Sequence, residues 1–378
     1  MAKNKFKLKH HINYIGVGLF LVITAVMMFM GVLNRSTANL ITQIAYSIIL
    51  AVSLNLVVGF LGELSLGHAG FMCVGAYLGC FFAKYMFTFT DSKLLVLIVS
   101  MLVGGLVAAV FGFIIGLPAL RLKGDYLAIV TLAFGEIVRT IFKNLETFGG
   151  ALGLSTKKYG SELFIIALIV VLIMLFVMQN LIRSKHGRAI TAIRDNEIAA
   201  KAMGINVTFY KLLVFVVAAF FAGIAGVIYG HYATPVLYSF FSYNYSIEIL
   251  VMVVLGGMGS ITGSIIAATL ITYINFVLTT NLSGDLAALK FLIYAIILIA
   301  MIIFNNAPAL NPVKEKLGGY KDKVLNILTG WIIKKKYDPS QIVDDHAAWH
   351  RIPSKIKMDA LLTVDITDKN NQNGGDNK

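Results

Sequence analysis

Few side chains in this sequence are of the kinds that carry out covalent chemistry, and their spacing works against it. His68 and His231 stand alone, with no His or carboxylate at i+4 to complete a metal-binding set; hydrogen bonding between helices is their expected role. Cys73 and Cys80 fall on one predicted helix, with Cα atoms about 10 Å apart, too far for a disulfide. The glycine run LGGMGSITGS at 255–264 lacks the lysine that makes a glycine loop a nucleotide cradle, and no G-x-x-x-x-G-K-[ST] occurs. Neither cofactor nor metal is expected, no catalytic residue is assigned, and any energy source has to sit on another chain. What remains is charge in an apolar medium. Glu63, Asp125, Glu136, Arg139 and Glu248 lie within or at the ends of apolar runs, where an ionisable group is expensive and marks a function by default. Glu136 and Arg139 can neutralise each other at i,i+3 on one helix face.

The composition says what must hold these groups. With 58% hydrophobic and 13% charged residues and a mean hydropathy of +0.81, the 378-residue chain has too little charge to cover a water-facing surface. Ten of the nineteen acids fall in the first 305 residues and nine in the last 73, so the composition breaks near Asn305. The net charge of +13 comes from basic residues clustered beside apolar runs, a topology signal and not a nucleic-acid footprint. The N-terminal MAKNKFKLKHH precedes an apolar run that reaches Leu33 without a small-residue cleavage site, and is expected to be a retained first helix.

Windows of about 20 residues, the length of a bilayer span, fall at 12–33, 37–58, 66–88, 94–117, 124–146, 162–183, 211–232, 247–258, 261–281 and 287–305. The expected fold is therefore all-α, a polytopic integral membrane helix bundle of about 10 transmembrane or partly re-entrant helices. A basic N-terminus of 1–11 in the cytoplasm puts the Arg121/Lys123 loop, the polar stretch at 184–210 and a tail of 306–378 there too, as the positive-inside bias requires. Arg139, Lys143, Lys157 and Lys158 break that pattern on the outer side. Pairs such as Gly75/Gly79 and Gly226/Gly230 recur at the spacing that lets membrane helices approach closely.

Three glycine-rich stretches interrupt the spans: GFLGELSLGHAGF (59–71), FGGALGLS (148–155) and LGGMGSITGS (255–264). Broken backbone at membrane depth is tolerated only beside protein or a water-filled cavity, so these stretches are either walls of a pathway or ordinary turns at span ends. They make Glu63, Ser65 and His68, then Gly150 and Gly153, then Gly256 and Gly257, candidate translocation-path residues together with Glu248.

From Arg183 to Lys211 runs a polar island with six Lys or Arg against Asp195 and Glu197. Asp195 is expected to cap a short helix from about Asn196 to Met203, with Glu197 in its first turn and Lys201 in its last. Gly204 would supply the left-handed residue after it and Ile205 the accompanying hydrophobic contact. Its apolar face is Ile198, Ala199, Ala202 and Met203. A helix lying on lipid would favour large apolar residues, so this mostly Ala face suits docking into protein. The preceding HGRAITAIR is either a first short helix or the end of the sixth span.

The stretches GELSLGHAGFMCVGAYLG (62–79), LPALRLKGDYLAIVTLAFGEIVR (117–139), 184–230 from SKHGRAITAIRDNEIAAKAMGIN onward, and VLGGMGSITGSIIAA (254–268) resemble, in order, the permease subunits of bacterial branched-chain amino acid ABC importers, the LivM-type subunit more closely, over about 37–305. Urea-type ABC permeases share much of the pattern. The resemblance implies translocation of an amino acid delivered by an extracytoplasmic solute-binding protein, across a bacterial cytoplasmic membrane. It also implies a heterodimer with a second permease and two cytoplasmic ATP-binding subunits. On it, Gly187, Arg188, Arg194, Asp195, Asn196, Glu197, Ala199, Ala200, Met203, Gly204 and Ile205 belong to the loop that seats on an ATP-binding subunit. The transmembrane permease domain would then be 12–305. The tail beyond it exceeds the family pattern, and Lys334, Lys335 and Lys336 beside Trp331 suit an anionic leaflet. A stand-alone transporter would need paired intramembrane carboxylates and an inverted repeat, and neither is evident.

Overall fold

In the computed structural model, the described residues are 16–18, 34–119, 124–157, 159–160, 162–281, 295, 296 and 299. The predicted spans at 12–33 and 287–305 lie almost wholly outside them, as do Arg121, Lys123 and the 306–378 tail. The eight intervening windows each coincide with a helix. These are α1 (Arg35–Asn55), α2 (His68–Met86), α3 (Lys93–Ala119), α4 (Asp125–Asn144), α5 (Leu163–Arg183), α8 (Val207–Tyr232), α9 (Tyr243–Gly256) and α10 (Ile261–Asn281), with α6 (Lys185–Asp195) and α7 (Glu197–Ala202) forming the island. Six helices among the described residues are long and apolar enough to cross a membrane, and α9 is a shorter apolar one. The described residues contain no strand, only an isolated bridge between Leu154 and Val236. The protein is an all-α multi-pass membrane bundle.

The packing follows from glycine and from lipid. Where the solvent is hydrocarbon, helices gain by close contact and not by hiding apolar surface, and α2, α3 and α8 meet through small residues. A Cβ on Gly75 would collide with the Gly223 backbone, and one on Gly226 would collide with the Met72 carbonyl; on Gly223 it would come within 2.5 Å of the Ala108 Cβ. On its outer side α3 turns Leu94, Ile98, Leu102, Leu106 and Val110 outward at four-residue intervals, the stripe expected of a lipid-facing helix. α1 is the reverse, buried along almost its whole length from Ile44 to Asn55.

The bundle has two distinguishable ends. One carries the island, the end of α1, the start of α4 and the α9–α10 turn; the other carries the start of α3, the α4–α5 connection and the α8–α9 connection. At this second end 148–155 forms short 3₁₀ turns, and Leu154 exchanges hydrogen bonds of 3.1 and 2.9 Å with Val236. Tyr77 joins the same clamp, donating to the Val236 carbonyl at 3.1 Å and stacking on Phe142. Three of the four basic residues that break the charge bias are held here, and Lys158 lies outside the described residues. Arg139 pairs with Glu136 at 2.6 Å, as the i,i+3 spacing implies, while Lys143 and Lys157 lie over the rings of Tyr238 and Phe87. Glu136 also accepts from the Tyr243 amide at 3.0 Å, at the start of α9. The two cysteines are free and buried.

Introducing a side chain at the glycine seam forces helices apart, a kind of overpacking that costs about 1–3 kcal/mol or more. Gly75→Ala should therefore lower the thermal midpoint of the detergent-purified protein by several degrees. Gly160→Ala, at a site with no atom within 4 Å of the added carbon, should leave it unchanged; equal midpoints for the two variants would contradict the seam.

Candidate functional site

The island is two helices, not one helix and a flexible arm. Ser184 leaves the helical region at φ −74°, ψ 178°, and its Oγ accepts from the amides of His186 and Gly187, starting α6. HGRAITAIR is thus a separate helix, and Gly187 is required where α6 turns against α5, because a Cβ there would strike the Ile182 carbonyl. α6 buries Gly187, Ile190 and Ile193 toward the bundle. The cap of α7 is Asn196 and not Asp195: the Asn196 Oδ1 accepts from the Ala199 amide at 3.0 Å, while Asp195 is the last residue of α6. Both side chains have the chemistry of a cap; a second helix running directly into this turn moves the junction one residue on.

The far end of α7 conforms to the sequence expectation. Gly204 has φ +82°, its amide donates to the Lys201 carbonyl at 3.1 Å, and the Ile205 amide donates to the Ala200 carbonyl at 3.1 Å. This doubly bonded glycine terminus satisfies carbonyls that a short helix leaves open. Ala200 faces inward, whereas Ile198 and Met203 are 79% and 82% exposed. Ala199 and Ala202 are exposed beside them, and so are Arg188 and Asp195.

Two residues tie the island to the bundle, and a third braces the bundle beside it. Lys211, only 3% exposed, places its Nζ 2.5 Å from Glu63 and 3.3 Å from Glu197, joining α8, the segment after α1 and α7. Arg194 donates to the Gly59 carbonyl at 3.1 Å and pairs with Asp195 at 2.9 Å. Asn55, wholly buried, then bridges from α1 to the α9–α10 turn. It donates to Ser260 O and Ser264 Oγ at 3.1 and 2.9 Å, and accepts from the Gly259 amide at 2.9 Å.

Two of the three glycine interruptions lie at this end. Past Asn55 the chain widens into a π turn, Leu56–Leu61, and stops at Gly62 with φ +82°. Residues 62–67 then run without regular structure to the buried start of α2, and Ser65 and His68 are each 2% exposed. The buried amides are met by side chains: Leu66 N–H donates to Thr131 Oγ1 at 3.0 Å, and Ala69 N–H to Ser246 Oγ at 3.1 Å. His68 bonds Ser53 across helices at 2.8 Å. His231 instead approaches the Lys157 carbonyl at 3.4 Å, a contact to a connecting segment and not to a helix. Gly256 packs against Gly263 at the other interruption, with Gly257 at φ +88°.

At the opposite end a cavity of about 460 Å³ opens between α1, α8, α9 and α10. Glu248 lines it, with its Oε1 accepting from Asn275 Nδ2 at 3.0 Å. Of the candidate path residues, Glu248 alone lines this cavity. Glu63, Ser65, His68, Gly256 and Gly257 sit at or near the island end, and Gly150 and Gly153 sit in the 148–155 turns. No sequence expectation covered the cavity's Gln43, Tyr46, Tyr229, Tyr232, Tyr245 and Thr272. The available signal was hydroxyl and amide groups recurring inside apolar windows, as in QIAYS (43–47) and TYIN (272–275).

A bundle of spanning helices with a polar element tied to one end and a polar cavity at the other has the form of a membrane permease. The sequence matches the family described as branched-chain amino acid transport system, permease component, over residues 36–302, and the chain belongs to that family. It is 35% identical over 321 residues to the high-affinity branched-chain amino acid transport system permease protein LivM of Salmonella typhimurium, covering 75% of this chain and 72% of that protein. To the LivM of Escherichia coli it is 34% identical over 310 residues, covering 72% and 69%. It is also 32% identical over 174 residues to a probable LivM of Methanocaldococcus jannaschii, covering 42% and 50%. No solved structure matches it.

The Lys211 ties give a stability prediction. Removing one partner of a buried ion pair strands the other charge and costs about 3–5 kcal/mol, whereas replacing both with apolar groups is often close to neutral. Lys211→Met should thus lower the thermal midpoint strongly, and adding Glu63→Leu should recover part of the loss. If the double variant were no more stable than Lys211→Met, the pairing would not be the source of the effect.

Proposed function

We propose that this chain is a membrane-spanning subunit of an ATP-driven importer for branched-chain amino acids, with α6 and α7 seated on a cytoplasmic ATP-binding subunit. Its partners are then two such ATP-binding subunits, a second permease and an extracytoplasmic solute-binding protein that delivers the amino acid. The island end faces the cytoplasm, together with both chain termini, because the island concentrates basic residues. The observation that carries the proposal is the exposure of Ile198 and Met203 on a helix whose backbone is fully tied down. Two large apolar side chains on a rigid turn suit a groove in another protein, and the adjoining Ala199 and Ala202 permit close approach. Family membership and the relatives named LivM support the substrate class.

ATP binding and hydrolysis move the partner subunits, and the α6–α7 pair passes that motion inward. Arg194 holds the Gly59 carbonyl and Lys211 holds Glu63, so a push on α7 reaches the interrupted part of α1 directly. A flexible loop would absorb the same push.

Ile198→Asp combined with Met203→Asp should abolish co-purification with the ATP-binding subunit and ATP-dependent leucine uptake, with an unchanged thermal midpoint because both side chains face outward. Gly204→Leu forces a side chain into the left-handed region at about 1–2 kcal/mol and should reduce uptake without removing the protein from the membrane. Leucine transport by this chain reconstituted alone, or undiminished ATPase-subunit binding by the double Asp variant, would refute the assignment.

A further inference from the structure

We infer that the cavity at the end opposite the island is a subsite for the α-ammonium group of the transported amino acid, with Glu248 as its counter-ion. The inference rests on the transport function proposed above and adds a place and a chemistry to it. Among the described residues the cavity lining contains one carboxylate, Glu248, and no Lys or Arg. Its walls carry Tyr46, Tyr229, Tyr232, Phe240 and Tyr245. Those rings pack on one another, with Tyr229 stacked on Phe240 at 4.1 Å, Phe240 tilted against Tyr245 at 4.4 Å, and Tyr46 edge-on to Tyr229 at 5.8 Å. A carboxylate within an aromatic wall is the surrounding that attracts an organic ammonium, through a charge-assisted hydrogen bond and the negative ring faces.

Glu248 is positioned for this. Asn275 donates to one of its oxygens at 3.0 Å and so fixes the carboxylate between α9 and α10. An independent observation points to a ligand in the same space. On α10, the hydroxyls of Thr269, Thr279 and Thr280 each donate to the carbonyl four residues back, at 2.8, 2.6 and 2.9 Å. Such back-bonding is the usual resort of a threonine in an apolar helix. Thr272, 5% exposed and on the cavity wall, does not do this, and its Oγ1 has no hydrogen-bond partner among the described residues. A buried hydroxyl left open costs about 1–3 kcal/mol, and a polar occupant of the cavity removes that cost. Thr272 is near the middle of the 21-residue α10, so the subsite reaches well into the bilayer from the outer side.

The charge balance sets the specificity. With a carboxylate and no basic residue among its described lining residues, the cavity favours monoammonium and zwitterionic solutes and repels acidic amino acids. Without a cation to grip the substrate carboxylate it holds its occupant weakly, as passage requires.

The test uses the whole transporter, with its second permease, ATP-binding subunits and binding protein, in proteoliposomes taking up radiolabelled leucine. Isopentylammonium, which has leucine's side chain and ammonium but no carboxylate, should inhibit wild-type uptake, and 4-methylpentanoate, which lacks the ammonium, should not. Glu248→Gln should cut the uptake rate about tenfold, the effect of one charge-assisted hydrogen bond, and abolish inhibition by isopentylammonium. Thr272→Val, a change of one hydroxyl to a methyl, should reduce the rate about threefold with subunit co-purification intact, and it serves where Glu248→Gln fails to assemble. Equal inhibition by the two probes, wild-type rates in Thr272→Val, or loss of the second permease from that variant, which would make the cavity an interface, each overturns the subsite. Wild-type vesicles that take up no leucine would overturn the transport function itself, a different result from any of these.

Discussion

Inside a bilayer a backbone amide has no water to turn to, and an unmatched one costs several kcal/mol. That constraint governs every irregular feature of this bundle. α1 cannot simply end at Asn55 and restart as α2 at His68; each exposed group between them needs a donor or acceptor from protein. Thr131, Ser246 and Arg194 supply them from three other elements. Satisfying its amides and carbonyl obliges α4, α6 and α9 to converge on it, and Asn55 just before it holds the α9–α10 turn alongside.

The convergence joins the two ends of the molecule. α1 carries Asn55 and Gly59 near the island and Gln43 and Tyr46 at the cavity, while α9 runs from Tyr245 and Glu248 at the cavity to Gly256 beside the island. The segment that follows α1 is bonded to the island through Gly59 and Glu63, and Asn55 of α1 is bonded to the α9–α10 turn. Displacement at one end has few soft joints in which to dissipate, and the π turn at 56–61 is the place where the regular helix yields.

Much of this was legible in the sequence. Eight windows of apolar residues became eight helices because membrane spans are specified by length and hydropathy, signals that survive without tertiary information. The glycine end of α7 was legible because Gly204 followed by Ile205 is a local pattern with a local cause. The cap was misplaced by one residue because Asp195 and Asn196 are chemically equivalent there, and only the end of α6 decides between them. The cavity could not be read, since Gln43, Tyr229, Glu248 and Thr272 are brought together by the packing of four separate helices. Lys211 was visible as a charge of the island, but its burial against Glu63, 148 residues earlier, has no local signature.

The completeness of α7's internal bonding has an evolutionary consequence. Asn196 satisfies its first turn and Gly204 its last, so the six-residue helix holds its shape without help from Ile198 or Met203. Those two side chains are therefore free to drift. A lineage can exchange them to follow a changing partner, or to refuse a paralogue's subunit, without disturbing the fold that displays them. On the proposed docking role, the fold and the choice of partner would in this way be encoded by separate residues only one or two positions apart.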